Sequence, residues 1–147
     1  MDIARLGGVN GDMPWCSGKI ENRSIPVGWT NLTPIIEESI GDFSIDGTLI
    51  VLPRTGIYSI YFGQCFLPIL PQAPPHPSMH DNLRRINVIR DGEHSAIADM
   101  PFTQGSVRVN GYEATFRNAA KVEFIIASTI AFAAFNQEAP FVIVQIG

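Results

Sequence analysis

Alternating apolar and polar positions define a strand between Thr55 and Leu67, where the sequence reads TGIYSIYFGQCFL. The apolar residues of one parity are Tyr58, Ile60, Phe62 and Phe66. Because successive side chains of a strand point to opposite faces, these four predict a large apolar face. The opposite face is only partly polar, since it carries Ile57 and Tyr61. Two semi-apolar faces are typical of a central strand that is covered on both sides. We therefore expect the middle strand of a β-sandwich, with its second face covered by another copy of the chain.

The rest of the chain predicts further strands and no helix. Asp46-Gly47 and Asp91-Gly92 are signals for tight turns, and Asn110-Gly111 fits either a hairpin or a bulge. An irregular strand pair is predicted over residues 25–40, and further strands over residues 48–52, 83–90, 93–98, 106–116, 121–130 and 141–146. The last of these is apolar at nearly every position, as in a strand that is buried on both faces. Seven to nine strands separated by turns predict an all-β fold, an antiparallel β-sandwich of the jelly-roll kind.

Residues 1–24 follow neither a strand nor a helix period, because glycine, proline and asparagine interrupt them. We interpret them as an irregular, extended N-terminal arm that precedes a jelly-roll domain over residues 25–147. The arm carries isolated apolar residues that predict docking on a surface, namely Ile3, Leu6, Val9, Met13 and Trp15. That surface is either the chain's own domain or a neighbouring subunit, since termini become ordered only when they dock.

A proline-rich segment over residues 67–82 is the candidate recognition loop. It contains Pro74, Pro75, His76 and His80, and prolines at this density exclude the interior of a sheet. Long surface loops on a rigid scaffold often carry recognition. The two histidines match no metal-ligand spacing, so we interpret them as surface residues.

Composition narrows the classes of function. Hydrophobic residues make up 46% of the chain and charged residues only 16%, which favours an oligomer over a monomer because apolar surface needs cover. A net charge of −4 without a basic stripe argues against nucleic-acid binding. No apolar run is long enough to span a bilayer, and no secretory signal is recognisable. Cys16 and Cys65 are interpreted as buried free thiols. No nucleophile–base or metal motif is present, so we expect no enzyme activity, cofactor or metal.

A spacing pattern resembles a known family. Gly56, Tyr58 and Phe62 form a Gly-x-Tyr-x-x-x-aromatic strand, which is followed by a strand with an Asp-Gly hairpin over residues 85–92, by Lys121-Val122, and by an apolar last strand. Over residues 25–147 this resembles the tumour-necrosis-factor-like and complement-type trimeric jelly rolls, including bacterial spore-filament tips and phage versions. The resemblance implies a homotrimer around a threefold axis. The implied candidates for the trimer interface are Tyr58, Tyr61, Phe141 and Ile143, although each of them could instead fill the core of its own subunit.

Two structural functions follow from the resemblance and from the lack of a catalytic motif. The first is a bacteriophage virion protein, a homotrimeric capsid decoration (cement) protein whose arm docks on the major capsid protein. It would be assembled in the host cytoplasm and located on the capsid surface. The alternative is the head of a tail or head fibre that binds a host receptor through loop 67–82. Because the sequence contains no shaft, we prefer the cement hypothesis. A secreted cytokine-like ligand is disfavoured by the lack of a signal or anchor.

Overall fold

The computed structural model describes residues 13–63, 83–100, 120–128 and 138–147 with their side chains, and residues 65–66, 101, 108–109 and 112–117 through the backbone. All elements in these ranges are strands. They are β1 (Trp15–Ile20), β2 (Gly28–Asn31), β3 (Pro34–Ile40), β4 (Ser44–Asp46), β5 (Leu49–Val51), β6 (Ile57–Phe62), β7 (Cys65–Phe66), β8 (Leu83–Arg90), β9 (Glu93–Pro101), β10 (Arg108–Val109), β11 (Tyr112–Arg117), β12 (Lys121–Ser128) and β13 (Pro140–Gln145).

The strands form two main antiparallel sheets. Sheet 1 has the order β11-β6-β13-β1-β3, so the predicted central strand β6 lies between two neighbours. Sheet 2 has the order β4-β5-β12-β8-β9, and β2 pairs with β12 beside it. A separate pair joins β7 to β10. The predicted all-β antiparallel sandwich is confirmed.

The core lies between the two sheets and is built from alternate residues of their strands. On β6, Tyr58, Ile60 and Phe62 are buried, as the alternation predicts. The ring of Phe62 meets Phe124 of sheet 2 edge-to-face, with 4.9 Å between ring centroids, and Phe141 lies 5.5 Å from Phe124. These three rings connect the sheets, because aromatic pairs at such distances add to the burial of apolar surface.

The predicted boundary of the N-terminal arm at residue 24 is wrong, because residues 15–20 form β1. This strand lies inside sheet 1, paired with β13 on one side and with β3 on the other. Cys16 and Ile20 on its inner side are fully buried. A β-bulge opposite β3 falls between Ser17 and Gly18, where a side chain at Gly18 would overlap the backbone carbonyl of Ile35. The glycine is required by this close approach of two strands, and is no sign of irregular chain.

Both predicted Asp-Gly turns are present. Gly47 joins β4 to β5 with a φ of 65°, and Asp91 and Gly92 join β8 to β9 with φ values of 52° and 80°. Positive φ at both central residues, as at Asp91 and Gly92, is the signature of a tight hairpin turn. At the first turn Gly47 has positive φ and Asp46 is the last residue of β4. The Asn110-Gly111 segment lies outside the described residues.

Candidate subunit interface

The outer face of sheet 1, the side turned away from the core, carries the candidate site. Strand register places Trp15 of β1 between Ile40 of β3 and Val144 of β13. One row further on, Ser17 lies beside Val142, and Val142 lies beside Tyr61 of β6. Because Cys16 points into the core, its neighbours Trp15 and Ser17 point outward. We call this surface the outer face of sheet 1.

The outer face of sheet 1 has an apolar end near Ile57 and Ile146 and a polar end near Lys19, although the register places Arg117 opposite Ile57 and the exposed Ile35 opposite Lys19. At the apolar end, the amide of Ile146 donates to the carbonyl of Ile57 over 2.7 Å, and Ile146 is 46% exposed. Ile40 at the sheet edge is 41% exposed. At the polar end, Lys19 Nζ lies 3.3 Å from Glu138 Oε1. Exposed isoleucines beside half-buried aromatic residues indicate a surface that another molecule can cover.

Three of the four predicted interface residues are in the wrong place for that role. Tyr58, Phe141 and Ile143 are fully buried in the chain's own core and cannot contact a neighbouring subunit. Tyr61 lies on the outer face of sheet 1 and remains a candidate. Sequence reasoning missed Val142, because β13 is apolar on both faces and its alternation does not show which face is inside.

Tyr58 is anchored in the core through its hydroxyl group. The hydroxyl donates a 2.6 Å hydrogen bond to the carbonyl oxygen of Arg54. Burial raises the pKa of Tyr58, against the opposing effects of that hydrogen bond and of the nearby Arg54 charge. Tyr58, a predicted interface residue, therefore holds residues 52–57 against sheet 1.

Glycine at position 56, which opens the spacing pattern of the strand, has a steric reason. A Cβ at Gly56 would overlap the side-chain amide of Gln145 and would lie 2.7 Å from the carbonyl oxygen of Gly147. Gln145 in turn accepts a 2.8 Å hydrogen bond from Arg54 Nε. Gly56 therefore lets the start of β6 lie against the end of β13.

The predicted docking arm begins at this same end of the sheet. The amide of Gln145 donates to the carbonyl of Pro14 over 2.9 Å, and Arg54 Nη2 lies 3.3 Å from the sulfur of Met13. Of the five predicted docking residues, Met13 lies at this junction and Trp15 belongs to β1. Ile3, Leu6 and Val9 lie outside the described residues.

The predicted recognition loop cannot be placed, since residues 67–82 lie outside the described residues. This applies to Pro74, Pro75, His76 and His80.

Groups with catalytic potential are sparse in the described part of the chain. No cluster of three or more histidine, cysteine or acidic residues that could hold a metal ion occurs there. Burial raises the pKa of the Cys16 thiol to about 12, so it is protonated at neutral pH and is a poor nucleophile. His94 Nδ1 lies 3.2 Å from Glu123 Oε1, and Glu123 also accepts a 3.1 Å bond from Asn87. In the same described ranges, no helix is long and apolar enough to cross a membrane.

Comparison with solved structures identifies the fold. Crystal structures of murine APRIL match at pH 8.0 (TM-score 0.62, 10% identity, 89% of this chain and 98% of that chain), at pH 8.5 (0.64, 11%, 90% and 98%) and at pH 5.0 (0.61, 13%, 90% and 98%). The fold is a tumour-necrosis-factor-like jelly roll. At these identities the likeness concerns the fold alone. No protein family matches the sequence, and no curated protein matches it either.

Proposed function

We propose that the chain forms a homotrimer through the outer face of sheet 1 and acts as a structural protein without enzyme activity. The observation that carries the proposal is the half-buried Trp15, Val142 and Tyr61 together with the exposed Ile40 and Ile146, which leave apolar surface on the side of sheet 1 away from the core. The jelly-roll fold supports a threefold assembly, because the chain resembles trimeric jelly rolls. A closed ring also buries such a surface once per subunit and leaves none exposed.

The distribution of charge on the outer face of sheet 1 supports one position for the centre of the subunit contact. The apolar end surrounds Ile57 and Ile146, whereas Lys19 and Glu138 form an ion pair at the polar end. Interfaces typically bury an apolar centre and leave charged groups at the rim. We therefore place the centre of the contact near Trp15 and Tyr61, with Lys19 toward the rim.

For the role of the trimer we propose capsid decoration. The N-terminal segment leaves sheet 1 at Met13 and Pro14, next to Gln145, and so all three arms of a threefold trimer would leave at the same end. Three arms on one side fit attachment to a repeating protein shell, here the major capsid protein. Many modest contacts of this kind add through multivalency. The receptor-binding head of a phage fibre is the alternative.

The trimer is tested by light scattering of the purified chain coupled to size-exclusion chromatography. We expect a mass of three times 16.1 kDa for the wild type and a monomer for Tyr61→Arg, because an arginine would place an unpaired charge in the contact. Ala96→Arg is the matched control, since Ala96 is exposed on β9 of sheet 2 and should leave the trimer intact. A monomeric wild type, or dissociation by the control alone, would refute the proposed interface.

The capsid role is tested on particles separated from an infected host on a density gradient. We expect the wild type to sediment with filled particles and a variant without residues 1–12 to remain a trimer that stays at the top. This deletion spares β1, whereas removal of residues 1–24 takes away an interior strand and should prevent folding. Labelling of tail or fibre tips in electron micrographs would replace capsid decoration by the fibre-head alternative, and absence from all particles would refute both.

A further inference from the structure

A second surface lies on sheet 2, on the side of the molecule opposite the proposed subunit interface. Val27 is 64% exposed and Trp29 is 58% exposed, the two highest values among the large apolar residues described. Gly28 between them has a φ of 104°, a conformation that glycine adopts without strain. The backbone therefore holds a tryptophan at the surface at the start of β2.

The indole ring of Trp29 is held by a neighbouring ion pair. The guanidinium carbon of Arg85 lies 4.6 Å from the centre of the Trp29 ring. Arg85 in turn donates through Nε and Nη2 to the two carboxylate oxygens of Asp99, over 2.7 and 3.0 Å. The hydrogen bond to Asp99 raises the pKa of Arg85. We call these three side chains, together with Val27, the Trp29 platform.

The side chains of Trp29, Arg85 and Asp99 belong to three strands, β2, β8 and β9. Trp29 lies on β2 and Arg85 on β8, and both strands pair with β12. Between them, Ile125 and Ala127 occupy outward positions on β12 yet are only 6% and 5% exposed. The contact between Arg85 and Trp29 above these two residues restricts the rotation of the indole ring. A ligand would therefore not have to order the ring on binding.

We propose that the Trp29 platform binds the ring of a neutral sugar. Arg85 occupies one face of the Trp29 ring. The C–H groups on one face of a sugar ring carry partial positive charge and would fit the other, negative face of the indole. The hydroxyl groups at the edge of the ring need both donors and acceptors. The free Nη1 of Arg85 and the 43% exposed carboxylate of Asp99 supply them beside the aromatic ring.

The charge of the platform selects a neutral ligand. Arg85 and Asp99 neutralise each other, so an anionic ligand gains little attraction from Arg85 and is repelled by Asp99. A purely apolar partner would cover Arg85 Nη1 and the remaining acceptor positions of Asp99 without offering them hydrogen bonds, which costs binding free energy. The position on sheet 2 leaves the platform accessible in the proposed trimer, but the sugar site does not depend on trimer formation.

The test is a titration of the ¹⁵N-labelled full chain with glucose, galactose, mannose and N-acetylglucosamine, followed by NMR. The chain has two tryptophans, and so each indole N–H signal can be assigned from a Trp29→Phe variant. We expect the Trp29 signal to shift with at least one sugar, with a Kd on the order of millimolar for a single ring. The Trp15 signal, on the opposite sheet, should not move.

Variants separate sugar binding from loss of structure. Trp29→Ala should abolish the response, seen on backbone amides of β12, and Asp99→Asn should weaken it about tenfold by removing a charged acceptor. Ala96→Arg, which lies outside the platform on β9, should bind like the wild type at the same Kd. Because the platform is neutral, sugar affinity should be the same at low and high salt.

Three results would overturn the proposal. The first is no shift of the Trp29 signal with any of the four sugars at concentrations on the order of 100 mM, far above the expected Kd. The second is a sulfated or sialylated sugar that binds much more tightly than its neutral counterpart. The third is a Trp29→Ala variant that still binds sugar but no longer associates with particles, which would make the platform a protein contact.

Discussion

The outer faces of the two sheets differ in how they are covered. On sheet 2, side chains of different strands contact each other across the outer face. Arg85 contacts both Trp29 and Asp99, while Lys121 Nζ lies 3.0 Å from Asp46 Oδ2. On sheet 1, Lys19 and Glu138 form a bridge at the polar end of the outer face.

This difference indicates which outer face the chain covers with its own side chains. On sheet 2, even the carboxylate residue Glu123 is only 3% exposed at an outward position, because its neighbours cover it. On sheet 1, Trp15, Tyr61 and Val142 remain half-buried. The chain therefore covers the centre of sheet 2 with its own side chains and leaves Val27 and Trp29 exposed beside it. On sheet 1, our proposal is that a second copy covers Trp15, Tyr61 and Val142.

The largest effect is expected at Cys16, where the inner side of β1 can be compared with its outer side. The folded thiol has a pKa of about 12 and the unfolded thiol about 9, so the folded state binds its proton more tightly. This stabilisation is complete below pH 9 and is lost as the pH rises toward 12, by up to about 4 kcal/mol. Unfolding in urea of the wild type and of Cys16→Ala, compared between pH 8 and pH 11, should show a steeper loss for the wild type.

Trp15 provides the contrast on the same strand. Trp15→Ala should lower stability more at high than at low protein concentration, because the wild type gains more stability from association than the variant as the concentration rises. The difference in pH dependence caused by Cys16 should not vary with concentration. Equal pH profiles for wild type and Cys16→Ala would show that β1 is not packed in the core.

A smaller effect is expected at Glu123, which tests whether sheet 2 is self-contained. Glu123→Ala leaves the buried amide of Asn87 without its acceptor and should lower the free energy of unfolding by about 2 kcal/mol. Glu123→Gln keeps an acceptor oxygen and should lose less. The mass in light scattering should stay that of the wild type, and dissociation by Glu123→Ala would place sheet 2 at a subunit contact.

The smallest effect is expected at Lys19, on the polar end of sheet 1. Lys19 and Glu138 are 38% and 40% exposed, and ion pairs of this kind contribute at most about 1 kcal/mol. Lys19→Met should therefore change urea unfolding little and leave the trimer intact. If Lys19→Met dissociated the trimer, the centre of the contact would lie at this end and not near Tyr61.

The strands could be predicted from the sequence where one face is apolar and the other is polar. On β12, Val122, Phe124 and Ile126 share a parity and all three are fully buried. β1 was missed although WCSGKI alternates, because Gly18 and the preceding Pro14 look like chain breakers. Only the neighbouring strand β3, whose backbone approaches Gly18 closely, explains the glycine.

The candidate interface could be predicted only in part for a different reason. Period-two alternation separates the two faces of a strand but does not tell which face meets the second sheet. On β6 both parities are aromatic, with Tyr58 inside and Tyr61 outside. The choice is made by Phe124 and the other core residues of sheet 2, and these are distant in sequence.

The pairing of β1 with β13 also constrains when the molecule can fold. Trp15 of β1 lies opposite Val144 of β13. During synthesis, β1 can therefore form this pair only after the much later β13 has left the ribosome. At about 5–20 residues per second, that delay is on the order of 10 s. During this time the nascent β1 has an unpaired edge beside apolar residues, a condition that favours association with the wrong chain. Slower translation of the C-terminal segment should therefore lower the yield of native protein before it changes the stability of the molecules that do fold.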